Sequence, residues 1–212
     1  MHANLARSGF VLFALLLPVL AVGHTPPNPS EKVKPKRIYP PSIDGYSSGW
    51  RAIEEFDLDG DKCISGDELL KCPGLKAAMG KIDANGDGKI TAEEITNRIH
   101  AWQKSRLGRM SFACQVTLNG QPLADAEVKF VPEKFLGEAV PVATGKTDDN
   151  GMAMIKIPDK LPPGVAPGLY RVEITKDGEK IPAKYNTETI FGQEIAIDAL
   201  GIQEGVTFDL EY

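Results

Sequence analysis

Histidine, cysteine and tryptophan are scarce in this chain of 212 residues: three, three and two. The histidines are His2, His24 and His100, so the chain beyond residue 100 has no imidazole. The second half therefore lacks the usual general base and transition-metal ligand. There is no phosphate-binding P-loop and no H-x-x-E zinc motif. A net charge of −5 provides no surplus of cations for phosphates, and nucleic acid is not expected as a partner. The one long apolar run, Phe10–Leu20, falls short of the roughly 20 residues that span a bilayer. An enzyme is not expected, although carboxylates assembled from distant strands would escape this reading.

What the chain does have is a succession of oxygen ligands between Asp57 and Glu94. Two twelve-residue segments, DLDGDKCISGDE (Asp57–Glu68) and DANGDGKITAEE (Asp83–Glu94), carry oxygen side chains at positions one, three and five and a glutamate at twelve. Ca²⁺ is a hard cation that takes about seven oxygens at about 2.3–2.6 Å. A tight turn can supply three short side chains and one carbonyl, and a glutamate on the following helix closes the far side. In the second segment the ligands are Asp83, Asn85, Asp87, the carbonyl of Lys89 and the bidentate Glu94. Gly88 makes the turn at position six and Thr91 acts through a water.

The first segment offers Asp57, Asp59, Asp61, the carbonyl of Cys63, and Glu68. It departs from the pattern at position six, where Lys62 replaces glycine and Gly60 sits two residues earlier. A lysine at positive φ costs about 1 kcal/mol. Four carboxylates that repel one another until a cation arrives act in the opposite sense. Acidic, glycine-containing turns are common. Two of them 26 residues apart, each with isoleucine at eight and glutamate at twelve, are not explained by turn composition. The stretch resembles the EF-hand family, and the resemblance implies Ca²⁺ at both loops. Apolar residues at helical spacing flank them: Trp50, Ile53 and Phe56 before the first, Leu75, Ala78, Met79 and Ile82 before the second, then Ile95, Ile99 and Trp102.

The chain opens with Arg7, an apolar core and small residues at Ala21 and Gly23, the make-up of a signal peptide cut before His24. An uncleaved membrane anchor is the competing reading. Residues 24–46 are proline-rich and locally basic, an extended linker. Residues 47–107 are expected to form the EF-hand pair. Pro73-Gly74 should break the helix leaving the first loop, and Gly108 is a candidate cap for the last helix.

From Ser111 the pattern changes to strand-like runs: FACQVTLNG, ADAEVKFVPE, PVATGKTDDNG, MAMIKIPD, GLYRVEITKDG, ETIFGQEIAIDA and VTFDLEY, separated by turn signals. Seven short strands over about 100 residues point to an antiparallel sandwich. VTLNGQPLADAEVKF, ATGKTDDNGMAMI and LPPGVAPGLYRVEI resemble the carboxypeptidase regulatory-like domain, a transthyretin-type sandwich. The resemblance implies a stability or adhesion module without catalysis. Hydrolases of 5-hydroxyisourate share that superfamily, but they use histidines and a Tyr-Arg-Gly-Ser tail, which this β half lacks.

The expected fold is thus a multidomain α plus all-β protein. An N-terminal helical EF-hand pair is followed by a seven-stranded antiparallel prealbumin-like β-sandwich over residues 111–212. The expected function is Ca²⁺ binding in an exported bacterial protein (periplasmic, cell-surface or extracellular) where the ion has a structural or adhesive role. Two alternatives stay open: a calcium-dependent docking or sensor module with a protein partner, and a sandwich that binds carbohydrate or cell-envelope polysaccharide. Membrane contact would come only through an uncleaved first segment. After export Cys63, Cys72 and Cys114 remain, an odd count. A Cys63–Cys72 bridge is open, though a helix between them would carry the two apart.

Overall fold

Asp44 starts the first helix of the protein. Its carboxylate accepts the N–H of Ser47 at 3.1 Å and so satisfies one of the orphan donors of α1 (Gly45–Phe56). A computed structural model describes residues 37–203 and 205–211; the expected signal peptide and linker residues 24–36 lie outside this range. The end of the linker is part of the fold, because Ile43 is buried and its carbonyl accepts the Gln103 amide at 2.7 Å.

Five further elements complete the helical half: β1 (Cys63–Ser65), α2 (Gly66–Leu69), α3 (Pro73–Ile82), β2 (Lys89–Thr91) and α4 (Ala92–Ser105). The α2 helix is a single turn. Tight turns continue it through Cys72, and Pro73 then begins α3, where its missing N–H costs nothing. The expected break is therefore a helix start. Arg106, not Gly108, takes the left-handed conformation (φ 57°) that ends α4. Gly108 instead lies hard against the Ile38 carbonyl. Ile53 and Phe56 of α1 and Ile95, Ile99 and Trp102 of α4 point into the core, as the helical spacing predicts, but Trp50 does not: it is exposed, and Ala52 takes the inward position beside Ile53.

The β half contains β3 (Phe112–Leu118), β4 (Gln121–Pro122), β5 (Glu127–Pro132), β6 (Ala143–Lys146), β7 (Met152–Ile155), β8 (Gly168–Thr175), β9 (Gly192–Ile195) and β10 (Val206–Leu210). Each of the seven sequence runs contains one strand. The eighth, β4, has only two residues and is too short for alternation to reveal. One four-stranded sheet runs β6-β5-β8-β9 and is antiparallel throughout. In the other, β3 lies between β10 on one side and β4 and β7 on the other. The β10–β3 pair is parallel, with Phe208 opposite Val116, which corrects the expectation of a wholly antiparallel sandwich. The ten residues between β9 and β10 carry the chain across to the far sheet, so β10 enters beside β3 in the same direction.

Phe112, Tyr170 and Phe208 pack edge-on around Phe130 between the sheets. Tyr170 is fully buried and its hydroxyl donates to the Ala166 carbonyl at 2.8 Å, so the phenol is satisfied.

The described residues from Arg37 onward form one compact unit, and the helical and β halves share a core. α3 lies along β9 so closely that a Cβ on Gly192 would overlap the Pro73 carbonyl. Phe56 meets Phe135 edge-on at 6.4 Å. Arg98 Nε bonds Glu194 Oε1, while the guanidinium grips Asp198 through two bonds of 2.9 and 2.8 Å. Trp102 Nε1 also donates to Glu194 Oε1, at 2.8 Å. Arg98 and Glu194 are both almost fully buried.

Candidate metal centre

The two loops lie side by side because β1 and β2 pair antiparallel, with Ile64 opposite Ile90. Both isoleucines are fully buried, so the position-eight residues anchor the loops in the helical core. Each loop then wraps around its own carboxylates in nearly the same way. In the second, Asp83 accepts the N–H of Gly86 at 2.7 Å and of Gly88 at 2.9 Å. In the first, Asp57 accepts Gly60 at 2.7 Å and Lys62 at 2.9 Å. Asn85 takes the N–H of Asp87 at 3.0 Å, and Asp59 takes that of Asp61 at 3.0 Å. Position five accepts from position seven in both: Asp87 from Lys89 and Asp61 from Cys63, each at 2.9 Å. These bonds fold each loop around its position-one carboxylate.

The closing glutamates also match. Glu68 accepts N–H groups from Leu58 at 2.7 Å and Ser65 at 2.9 Å; Glu94 accepts from Ala84 at 3.1 Å and Thr91 at 2.9 Å. Each glutamate stands at the third position of its exit helix and fixes the N-cap, so helix start and ligand are set by one residue. The N–H groups of Leu58 and then Ser65 hold the Glu68 carboxyl below its usual range.

Position six differs as the sequence predicts. Lys62 has φ 68° and Gly88 φ 82°. The lysine adopts the left-handed turn, and its N–H makes the same bond to Asp57 that Gly88 makes to Asp83. The irregular residue therefore stores strain without changing the geometry.

Asp57, Asp59 and Asp61 each bring an oxygen within 4.8 Å of the others. Oxygens at about 2.3–2.6 Å from one ion lie at most about 5 Å apart, so the first loop fits Ca²⁺. The carbonyls of Cys63 and Lys89 belong to the paired β1–β2 segment, which holds both at position seven. The ligand oxygens of Asp57, Asp59 and Asp61 are thus brought together, with Cys63 and Glu68 on the same loop; Asp83, Asn85, Asp87, Lys89 and Glu94 share the other loop through the hydrogen bonds above.

Two features of the site lie beyond what the ligand pattern encodes. Lys89 reaches across from the second loop and sets Nζ 2.6 Å from Asp61 Oδ2 in the first. Its ammonium, with the Cys63 N–H, holds the Asp61 carboxyl below its usual value. The second is the Arg98–Glu194–Asp198 cluster, whose only sequence signal is a charged residue beside the apolar stripe of Ile95, Ile99 and Trp102. Among the other buried groups, Glu133 accepts the Gly74 N–H at 2.9 Å, and burial raises its pKa. The three cysteines are unpaired with one another. Burial pushes the Cys114 thiol up to about 12 and Cys72 higher still, so neither is a thiolate at neutral pH.

Residues 75–99 match the family model of the EF hand. The match contains the whole second loop, from Asp83 to Glu94, with α3 from Leu75 onward and the first part of α4. The chain therefore carries a calcium-binding EF-hand element in this segment. Comparison with curated proteins and with solved structures gives no match.

Proposed function

We propose that the protein is an exported, non-enzymatic calcium-binding protein. In this reading both EF-hand loops hold Ca²⁺, and the ions brace the helical half against a prealbumin-like sandwich. The observation that carries the proposal is the shared set of backbone hydrogen bonds to positions one, three, five and twelve of the two loops, with the EF-hand match falling on one of them. A structural role is favoured over a sensor because both helices of the second hand are docked. α3 is pressed against β9, and α4 is tied to Glu194 and Asp198 through Arg98. Opening this hand to expose an apolar groove would break a buried ion pair.

Carbohydrate binding on an aromatic platform has less support. Among the described residues of the β half, no phenylalanine or tyrosine is among the exposed large side chains. Among the described residues the exposed large aromatics are Tyr39, Tyr46 and Trp50, none of them in the β half.

Thermal unfolding tests the structural role. With free Ca²⁺ tenfold above Kd, each site adds about 1.4 kcal/mol. The proposal predicts that far-UV and near-UV signals melt together and shift upward together when calcium replaces a chelator. A β signal that melts at the same temperature in both conditions would remove the bracing role.

A further inference from the structure

We infer that the Lys89 side chain acts as a tethered cation that weakens the first calcium site and brings its affinity towards that of the second. This rests on the reading of Asp57–Glu68 as a calcium loop.

The two loops differ in charge. The first has four ligand carboxylates (Asp57, Asp59, Asp61, Glu68), and the second has three (Asp83, Asp87, Glu94) because Asn85 stands at position three. On carboxylate count alone the first should bind a divalent cation more tightly. Lys89 belongs to the second loop, where its carbonyl occupies position seven. Its ammonium nevertheless lies on Asp61 Oδ2 of the first, at 2.6 Å. One positive charge is thus taken from the loop with three carboxylates and given to the loop with four.

The hydrogen bonds explain why it goes there. At position five, one carboxylate oxygen accepts the position-seven N–H in both loops, which leaves the other oxygen needing a donor. In the second loop, Asn85 Nδ2 donates to Asp87 Oδ2 at 2.9 Å. In the first loop, position three is Asp59, an ionised acceptor that cannot donate. Lys89 supplies across the β1–β2 pair what Asn85 supplies within its own loop. It relieves the repulsion between Asp59 and Asp61 without an ion, and it repels an ion that enters. Both effects lower first-site affinity.

The test is calcium titration calorimetry of the full chain carrying Glu94→Gln, which leaves the first loop as the site observed, with and without Lys89→Met. The inference predicts that Lys89→Met tightens this site by roughly three- to tenfold at low ionic strength, and by less at high salt. Lys89→Arg retains the charge and stays near the parent value. Adding Asp61→Asn removes the effect of Lys89→Met, since the partner is gone. Unchanged or weaker binding in Lys89→Met, with the first site still present in the parent, overturns the role of Lys89 alone. Absence of calcium binding in the Glu94→Gln parent overturns the first-loop reading and this inference with it.

Discussion

The first loop is followed by α2, a helix of four residues; the second is followed by α4, a helix of fourteen. Up to the glutamate the loops are close copies, and beyond it they diverge. Glu94, Arg98 and Trp102 stand one turn apart on α4, so the ligand that closes the second loop shares a rigid element with the groups that grip the β half. Glu68 has no such continuation. On the proposed reading, an ion in the second loop is coupled to the β half through one helix, whereas an ion in the first would act through the β1–β2 pair and Lys89. Equivalent cradles give unequal consequences because affinity is set by the loop and mechanical effect by the exit helix.

The largest expected effect breaks the anchor of the second hand. Arg98→Ala leaves Glu194 buried without its cation and should cost about 3–5 kcal/mol in denaturant unfolding. It should also reduce the calcium-induced rise in Tm; a cost below about 1 kcal/mol would mean that the anchor contributes little. Next come the closing glutamates, taken one at a time. Glu94→Gln and Glu68→Gln should each weaken their own site by more than about 100-fold, beyond what outer-shell partners carry. Loss of both sites from either change would show that the loops are not separate.

The third change probes the α3 side of the junction. Burial raises the folded pKa of Glu133 above its ordinary 4.5. The folded chain thus holds this proton more tightly than the unfolded chain. The contribution is full below about pH 4.5 and is lost as pH rises through the folded value. Glu133→Gln keeps an acceptor for the Gly74 N–H, so it should stabilise the protein at pH 7, with the gain vanishing towards pH 4.5. A gain independent of pH would contradict this. The smallest effect sharpens the comparison at position six. Lys62→Gly removes the left-handed strain of a side chain and should stabilise the calcium-free protein by about 1 kcal/mol, read as Tm in chelator.

Much of this site could be read in the sequence because EF-hand ligands are local: twelve consecutive residues fix the turn, the ligands and the helix start. The strand runs were legible for the same reason, since alternation is a short-range signal. Non-local pairing was not. The parallel β10–β3 register depends on where ten connecting residues deliver the chain, and a period of two does not encode direction. Arg98 and Glu194 are 96 positions apart, and neither residue's neighbours indicate the other. The position of Lys89 in its loop dictates a carbonyl ligand. The destination of its ammonium depends on the β1–β2 pairing and on Asp59 being unable to donate.

Calorimetric titration of the unaltered chain with Ca²⁺ tests the central claim most directly. Two ions bound per chain, at free calcium in the micromolar to millimolar range, is the predicted result. No binding at millimolar calcium would contradict the reading of both loops, and the matched geometry would then be no more than a pair of well-capped acidic turns.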